Sequence, residues 1–115
     1  MLTTRKLSLT LILLLLLTLS CTALAEPTII QQPTSVSVPS GETAKVSFTA
    51  AGDGLTYTWY FKNPGASKFS KTTSFTGNAY SVKMDATRSG RQVYCVVTDK
   101  YGKTVKTSTV RVKMK

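Results

Sequence analysis

Residues 57–61 read Tyr57-Thr58-Trp59-Tyr60-Phe61, a run whose first, third and fifth side chains are large and aromatic. Side chains alternate between the two faces of an extended chain, so Tyr57, Trp59 and Phe61 share one face. Aromatic and β-branched residues fit the half-buried surface of a sheet. The run therefore predicts a β-strand whose inner face packs against a core.

The same alternation recurs along residues 26–115, and turns rich in glycine and proline separate the runs, for example Gly52-Asp53-Gly54 and Asn63-Pro64-Gly65. No segment shows helical periodicity. About seven or eight short strands with regular turns predict an all-β sandwich or small barrel. The other positions that alternation places inward are Val36, Val38, Val46, Phe48, Ala50, Tyr80, Val82, Met84, Val93, Cys95, Val97, Val110, Val112 and Met114.

Several motifs within residues 27–114 occur together in one known family. They are Gly41-Glu42-Thr43-Ala44, Val46-Ser47-Phe48-Thr49-Ala50-Ala51-Gly52, Tyr57-Thr58-Trp59-Tyr60, and Cys95-Val96-Val97-Thr98-Asp99 with Tyr101-Gly102. With these motifs the chain resembles an immunoglobulin-like domain of the I-set type, similar to versions found in secreted and surface proteins of bacteria. The resemblance implies an antiparallel β-sandwich with Phe48, Trp59 and Cys95 as its core signature.

Two positions depart from the family pattern. Phe48 stands where the family usually has the partner cysteine of Cys95, so the resemblance implies a domain without the inter-sheet disulfide. A bridge closing that loop would stabilise the fold by about 4 kcal/mol, and burial of a phenylalanine contributes about 1.5–3 kcal/mol. Val93 stands where the family has its corner tyrosine, and Tyr94 falls on the opposite face.

The N-terminus has the layout of a secretory signal. Arg5 and Lys6 precede the apolar residues 7–19, and Ala23-Leu24-Ala25 provides small residues before a cleavage point. We therefore predict a signal peptide over residues 1–25, one domain over residues 26–115, and a secreted protein. Two alternatives are retention of the uncleaved segment as a membrane anchor and a lipoprotein modified at Cys21. Cleavage would leave Cys95 alone, either as a buried core thiol or as a reactive or intermolecularly bridged one.

Catalytic chemistry has little support in the composition. The chain contains no histidine, and its five carboxylates are dispersed without a close pair. One cysteine without histidine cannot complete a zinc site. We predict a non-enzymatic protein without cofactor or metal.

Charge is the stronger indication of a partner. Arg5 and Lys6 are two of the 15 basic residues, so residues 26–115 carry a net charge of 13 − 5 = +8. Such a domain attracts anionic surfaces in a salt-dependent way. The tyrosines expected to face outward are Tyr60, Tyr94 and Tyr101. The candidate binding residues are Tyr101, Lys100, Lys103, Arg111 and Lys113.

Two main hypotheses of function follow. The first is an adhesion or recognition module that binds an unknown protein or glycan on a cell surface, through a sheet face or the loops Gly52–Leu55, Asn63–Ser67 and Asp99–Lys103. The alternative is a basic domain that binds anionic polymers or surfaces electrostatically, such as cell-wall polymer, acidic glycan, lipid or DNA. A structural spacer is a third possibility. Because no interleaved aromatic and basic motif occurs along the sequence, no specific nucleic-acid partner is predicted, nor any membrane span after cleavage.

Overall fold

The computed structural model describes residues 26–115, which form ten β-strands and no helix. None of this range is therefore a helix that could cross a membrane. The predicted signal, residues 1–25 with Cys21, lies outside the described residues. The strands are β1 (Thr28–Gln31), β2 (Val36–Val38), β3 (Thr43–Ser47), β4 (Thr49–Ala51), β5 (Thr56–Lys62), β6 (Ser70–Thr72), β7 (Ala79–Lys83), β8 (Arg91–Thr98), β9 (Thr104–Lys106) and β10 (Val110–Met114).

The strands form the two layers of a sandwich. One layer is a six-stranded sheet in the order β2-β10-β8-β5-β6, with β9 also paired to β8. The other layer contains the ladders β1–β4 and β3–β7, which continue one another because only Phe48 separates β3 from β4. The all-β sandwich is therefore confirmed. Its one parallel pair, β2 with β10, is an exception to the antiparallel arrangement that the sequence predicts.

Two interruptions raise the number of strands above the predicted value of about seven or eight. At Phe48 the chain leaves the ladder with β7 and exchanges hydrogen bonds with Asn78 instead: the Phe48 amide donates to the Asn78 carbonyl, and the Asn78 amide group donates to the Phe48 carbonyl at 2.7 Å. At residues 107–109 the buried Thr107 accepts a hydrogen bond from the Cys95 amide at 3.0 Å. At each break one side-chain hydrogen bond therefore takes the place of a ladder hydrogen bond, beside one that still joins backbone groups.

The core lies between the two layers, with Trp59 at its centre. Trp59 has no exposed surface; its ring centroid lies 5.6 Å from that of Phe48 and 5.7 Å from that of Tyr80. Its indole N–H donates to the Gly77 carbonyl at 2.8 Å, so the one polar atom of this side chain is satisfied. The buried apolar residues are Ala44, Val46, Phe48, Trp59, Tyr80, Val82, Met84, Val93, Cys95, Val97, Val110 and Val112.

The Cys95 thiol gives a test of this core. Cys95 is a free cysteine without exposed surface, and burial raises the pKa of its thiol to about 12. Because the thiolate is the nucleophile, we expect iodoacetamide to label Cys95 in the folded protein at least about a hundredfold more slowly than in guanidinium chloride, near pH 8. Mass spectrometry of the purified protein measures both rates.

The pH dependence of labelling separates a buried thiol from a reactive one. Between about pH 8 and pH 10, the rate in denaturant should level off as the ordinary thiol finishes ionising. The rate in the folded protein should keep rising, because its thiol stays protonated in this range. Rapid labelling of the folded protein at pH 8 would show that Cys95 is accessible and reactive.

Candidate binding surfaces

The carboxylates among residues 26–115 make local contacts and do not converge on one site. Asp53 lies 3.6 Å from the Lys100 ammonium. The hydrogen bond that Asp85 accepts from the Thr87 hydroxyl is the main reason why the pKa of Asp85 is lowered. Within this range no three histidine, cysteine or acidic side chains lie close enough together to hold a metal. The carboxylates therefore define no site, and the candidate binding surfaces are the exposed faces and ends of the sandwich.

The three predicted binding loops do not form one surface. Gly52–Leu55 precedes β5 and Asn63–Ser67 follows it, so these loops lie at opposite ends of a seven-residue strand, about 20 Å apart. The loop Asp99–Lys103 lies beside Gly52–Leu55, since the Lys100 amide donates to the Asp53 carbonyl at 2.9 Å. The loop Asn63–Ser67 therefore lies at a different end of the sandwich from the other two loops, because the length of β5 separates them.

The loop Asp99–Lys103 is a tightly held hairpin tip. The buried Asp99 carboxylate accepts the backbone N–H groups of Tyr101 and Lys103, both at 2.9 Å. Tyr101 is 49% exposed at the tip, and the Lys100 ammonium lies 5.2 Å from its ring centroid. Three of the predicted binding residues, Lys100, Tyr101 and Lys103, are therefore neighbours at this end of the sandwich.

The opposite end is held together by Arg91. Its guanidinium donates to the Asn63 side-chain oxygen at 2.7 Å and to the Tyr80 hydroxyl at 2.7 Å, and it lies 4.6 Å from the Phe61 ring centroid. Gly90 has a φ of +96°, and a Cβ there would lie 3.3 Å from the Pro64 ring. Arg91 thus links both layers to the loop Asn63–Ser67. Its guanidinium is used in these contacts within the domain.

The other two predicted binding residues, Arg111 and Lys113, are exposed on the outer face of the six-stranded sheet. Strand register places three rows of side chains across this face. The first row is Arg111, Gln92 and Lys62, on β10, β8 and β5. The second row is Tyr94, Tyr60 and Lys71, on β8, β5 and β6. In the third row Lys106 on β9 is paired with Val96 on β8. We define the basic–aromatic face as Tyr60, Lys62, Phe69, Lys71, Tyr94, Lys106 and Arg111.

Aromatic rings hold two of these cations in place. Tyr60 and Tyr94 stack with ring centroids 5.0 Å apart, and Phe69 meets Tyr94 edge-on at 4.8 Å. The Lys106 ammonium lies 4.1 Å from the Tyr94 ring centroid, and the Lys62 ammonium lies 5.1 Å from that of Phe69. Cation–π attraction therefore orients both ammonium groups. The pKa of the Tyr94 phenol is raised, mainly by partial burial and to a smaller extent by the neighbouring Tyr60, so the phenol stays a neutral hydroxyl.

Charge is distributed unequally between the two outer faces. None of the five acidic residues lies on a strand of the six-stranded sheet, so no carboxylate on those strands opposes the cations of the basic–aromatic face. The outward positions of β3 and β7 carry Lys45 and Lys83 among serine and threonine. Only the basic–aromatic face combines clustered cations with aromatic side chains.

The residues of the basic–aromatic face are far apart along the chain. Tyr60 and Tyr94 are 34 positions apart; Lys62 shares β5 with Tyr60, and the other three basic residues come from three further strands. No local motif connects these strands, so the aromatic and basic residues are brought together only by strand pairing. The pairing of β5 with β8 would have revealed the tyrosine pair.

Known structures share this fold. A two-domain structure described as DIP-gamma IG1+IG2 is 20% identical, with a TM-score of 0.56 over 77% of this chain and 48% of that one. The titin tandem domains A164-A165 are 19% identical, with a TM-score of 0.55 over 77% and 47%. The single titin M3 domain is 11% identical, with a TM-score of 0.54 over 77% and 96%.

These similarities show an immunoglobulin-like fold. The chain spans about half the length of the two tandem structures and nearly all of the length of the single domain. No family model and no curated protein sequence matches the chain. The fold is therefore shown by structure alone, at identities too low to carry a function across.

Proposed function

We propose that this protein is an exported, non-enzymatic recognition module that binds a partner on a cell surface through its basic–aromatic face. The observation that carries the proposal is the clustering of four cations with three aromatic rings on a face whose strands hold no carboxylate. The signal-like residues 1–25 support export. The dispersed carboxylates and the lack of histidine support a role in binding.

The basic–aromatic face is better suited than the hairpin tip to be the main contact surface. The face offers several side chains in fixed register, whereas the tip offers one exposed ring, Tyr101, beside a lysine already paired with Asp53. Aromatic residues and arginine are enriched where interfaces gain most of their binding energy. The basic–aromatic face contains three aromatic residues and an arginine.

A matched pair of double variants tests this proposal. Lys62→Gln with Lys106→Gln removes the two ring-held cations, and Lys45→Gln with Lys83→Gln removes two cations from the other layer. Both variants lower the net charge by two. Each charged contact at an interface contributes about 0.5–1 kcal/mol. We therefore expect the loss of two such contacts in the Lys62 and Lys106 variant to weaken binding to producer-cell surface material about tenfold. The Lys45 and Lys83 variant should weaken this binding less than twofold.

The assay is retention of the purified protein, expressed from the full chain, on that surface material at low and high salt. A loss caused by Tyr101→Ala, with the face variant unchanged, would move the binding site to the hairpin tip. The alternative function, purely electrostatic binding of anionic polymer, is favoured by the net charge of +8. It predicts equal losses in both double variants and no retention at a few hundred millimolar salt.

A further inference from the structure

We infer that the ligand of the basic–aromatic face is an acidic polysaccharide, bound as an extended chain across the strands of the six-stranded sheet. This inference rests on the proposed function, because it assigns a ligand class to the same face. It adds that the recognised groups are the carboxylates or sulfates and the ring hydroxyls of a sugar chain.

The layout of the cations matches a linear, periodically charged ligand. Lys62 and Arg111 are separated by one strand, with Gln92 between them, so their backbones lie about 10 Å apart. Lys71 and Lys106 stand on β6 and β9, on either side of the two tyrosines, about 16 Å apart at the backbone. An acidic polysaccharide carries charges at regular intervals along a chain of hydroxyl-bearing sugar rings.

The groups between the cations suit the hydroxyls of a sugar chain. The Tyr60 and Tyr94 hydroxyls and the Gln92 amide can each donate and accept hydrogen bonds, as can the hydroxyls of a sugar. The Tyr94 phenol stays neutral because partial burial raises its pKa. A face that intersperses ammonium and guanidinium groups with hydroxyls and an amide is therefore complementary to a chain that carries both acidic groups and hydroxyls.

The cations are also partly preorganised. Lys106 is held 4.1 Å from the Tyr94 ring centroid and Lys62 5.1 Å from that of Phe69. A side chain that is already ordered loses less conformational entropy when a ligand binds. These lysines can therefore contribute more to binding than free surface lysines such as Lys45 and Lys83.

The arrangement of the rings disfavours single-stranded nucleic acid. Proteins that bind single strands stack bases on exposed ring faces. Here Tyr60 stacks on Tyr94, Lys106 lies over the Tyr94 ring, and Phe69 meets its edge. The central ring of the face is therefore already covered.

The experiment measures direct binding of the protein, expressed from the full chain and purified, to defined probes by biolayer interferometry. The acidic probes are polygalacturonate and dextran sulfate, which separate carboxylate from sulfate recognition, and neutral dextran is the uncharged control. A thymidine oligonucleotide and vesicles containing phosphatidylglycerol represent the other anionic sources. We expect at least one acidic polysaccharide to bind tenfold or more tightly than the oligonucleotide and the vesicles, and dextran not to bind.

Three variants test the geometry. Lys62→Gln with Lys106→Gln should weaken polysaccharide binding about tenfold, and Lys45→Gln with Lys83→Gln less than twofold. Tyr60→Phe with Tyr94→Phe keeps both rings but removes both hydroxyls, and should weaken it about threefold. Circular dichroism of each variant checks that the fold is retained, and the control pair is measured in parallel.

Each other outcome overturns the inference. Equal or tighter binding of the oligonucleotide or the vesicles would assign the face to nucleic acid or to lipid. If no acidic polysaccharide binds while the Lys62 and Lys106 variant still loses cell-surface binding, the ligand class is wrong and the proposed function stands. If the two lysine pairs lose binding equally on every probe and on the cell surface, both the inference and the proposed function fail.

Discussion

Trp59→Ala is expected to remove a large part of the stability of the folded protein. Removal of a buried tryptophan side chain costs about 3–5 kcal/mol, and folded domains of this size are stable by roughly 5–13 kcal/mol. Trp59 has no exposed surface and contacts aromatic side chains from the opposite layer, Phe48 and Tyr80. The Cys95 thiol is free, so no disulfide at this position restricts the conformations of the unfolded chain and adds stability in that way.

Urea unfolding followed by far-ultraviolet circular dichroism measures this effect. The midpoint should fall by about 2–3 M for a domain whose stability changes by roughly 1.5 kcal/mol per molar urea. Trp59→Phe is the control, because it keeps a ring in the core and loses the hydrogen bond to Gly77. It should cost about 1–2 kcal/mol. A midpoint for Trp59→Ala close to that of Trp59→Phe would show that Trp59 is not the centre of the core.

Arg91→Met is expected to have the second largest effect, a loss of about 2–4 kcal/mol, because hydrogen bonds to charged groups contribute about 1.5–3 kcal/mol each. The guanidinium has two partners, the Asn63 side-chain oxygen and the Tyr80 hydroxyl. Tyr80 is only 3% exposed, so its hydroxyl would lose a partner in a place with little access to water. Methionine retains an apolar contact with Phe61 but cannot donate a hydrogen bond.

Arg88→Met is the matched control for this variant, since it makes the same change of charge three positions away. Arg88 forms an ion pair with Asp85 in which both side chains are substantially exposed, at 41% and 47%, and exposed pairs contribute about 0–1 kcal/mol. Thermal unfolding of the two variants compares their stabilities directly. Equal losses would mean that Arg91 acts through net charge and that its contacts at the end of the sandwich contribute little.

Arg91 also bears on the missing corner tyrosine. Val93 occupies the position where the resemblance places that residue, and it is completely buried. Arg91, two residues earlier and on the same face of β8, instead reaches a tyrosine on β7 and the loop after β5. A hydrogen-bonded connection at this end of the sandwich is therefore present, but a different side chain provides it.

The fold was largely predictable because its signals are local. Alternation along each strand depends on backbone geometry alone, and the buried positions of β3, β7, β8 and β10 follow it without exception. The breaks at Phe48 and at residues 107–109 were not predictable in this way. They depend on Asn78 and on Cys95, partners that are distant in sequence from the strands they interrupt.

The binding surfaces were predicted only in part. The exposed position of Arg111 and Lys113 follows from alternation on β10, and the hairpin with Tyr101 follows from its turn residues. Alternation places Lys62 beside Tyr60 on the outer face of β5, but no local signal places Lys71 and Lys106 near the outward tyrosines. Their proximity depends on which strand lies beside which, and alternation carries no information about strand order.

By itself, the sequence determined the class of this protein: an all-β sandwich with Trp59 in its core, an excess of basic residues and no histidine. These properties are set residue by residue, through the direction of each side chain and its chemistry. Only the tertiary structure decided that two loops lie at one end and the third at the other, that Arg91 holds the far end together, and that cations surround the stacked Tyr60 and Tyr94. Those outcomes depend on the pairing of strands distant in sequence, which long-range packing establishes and no local pattern encodes.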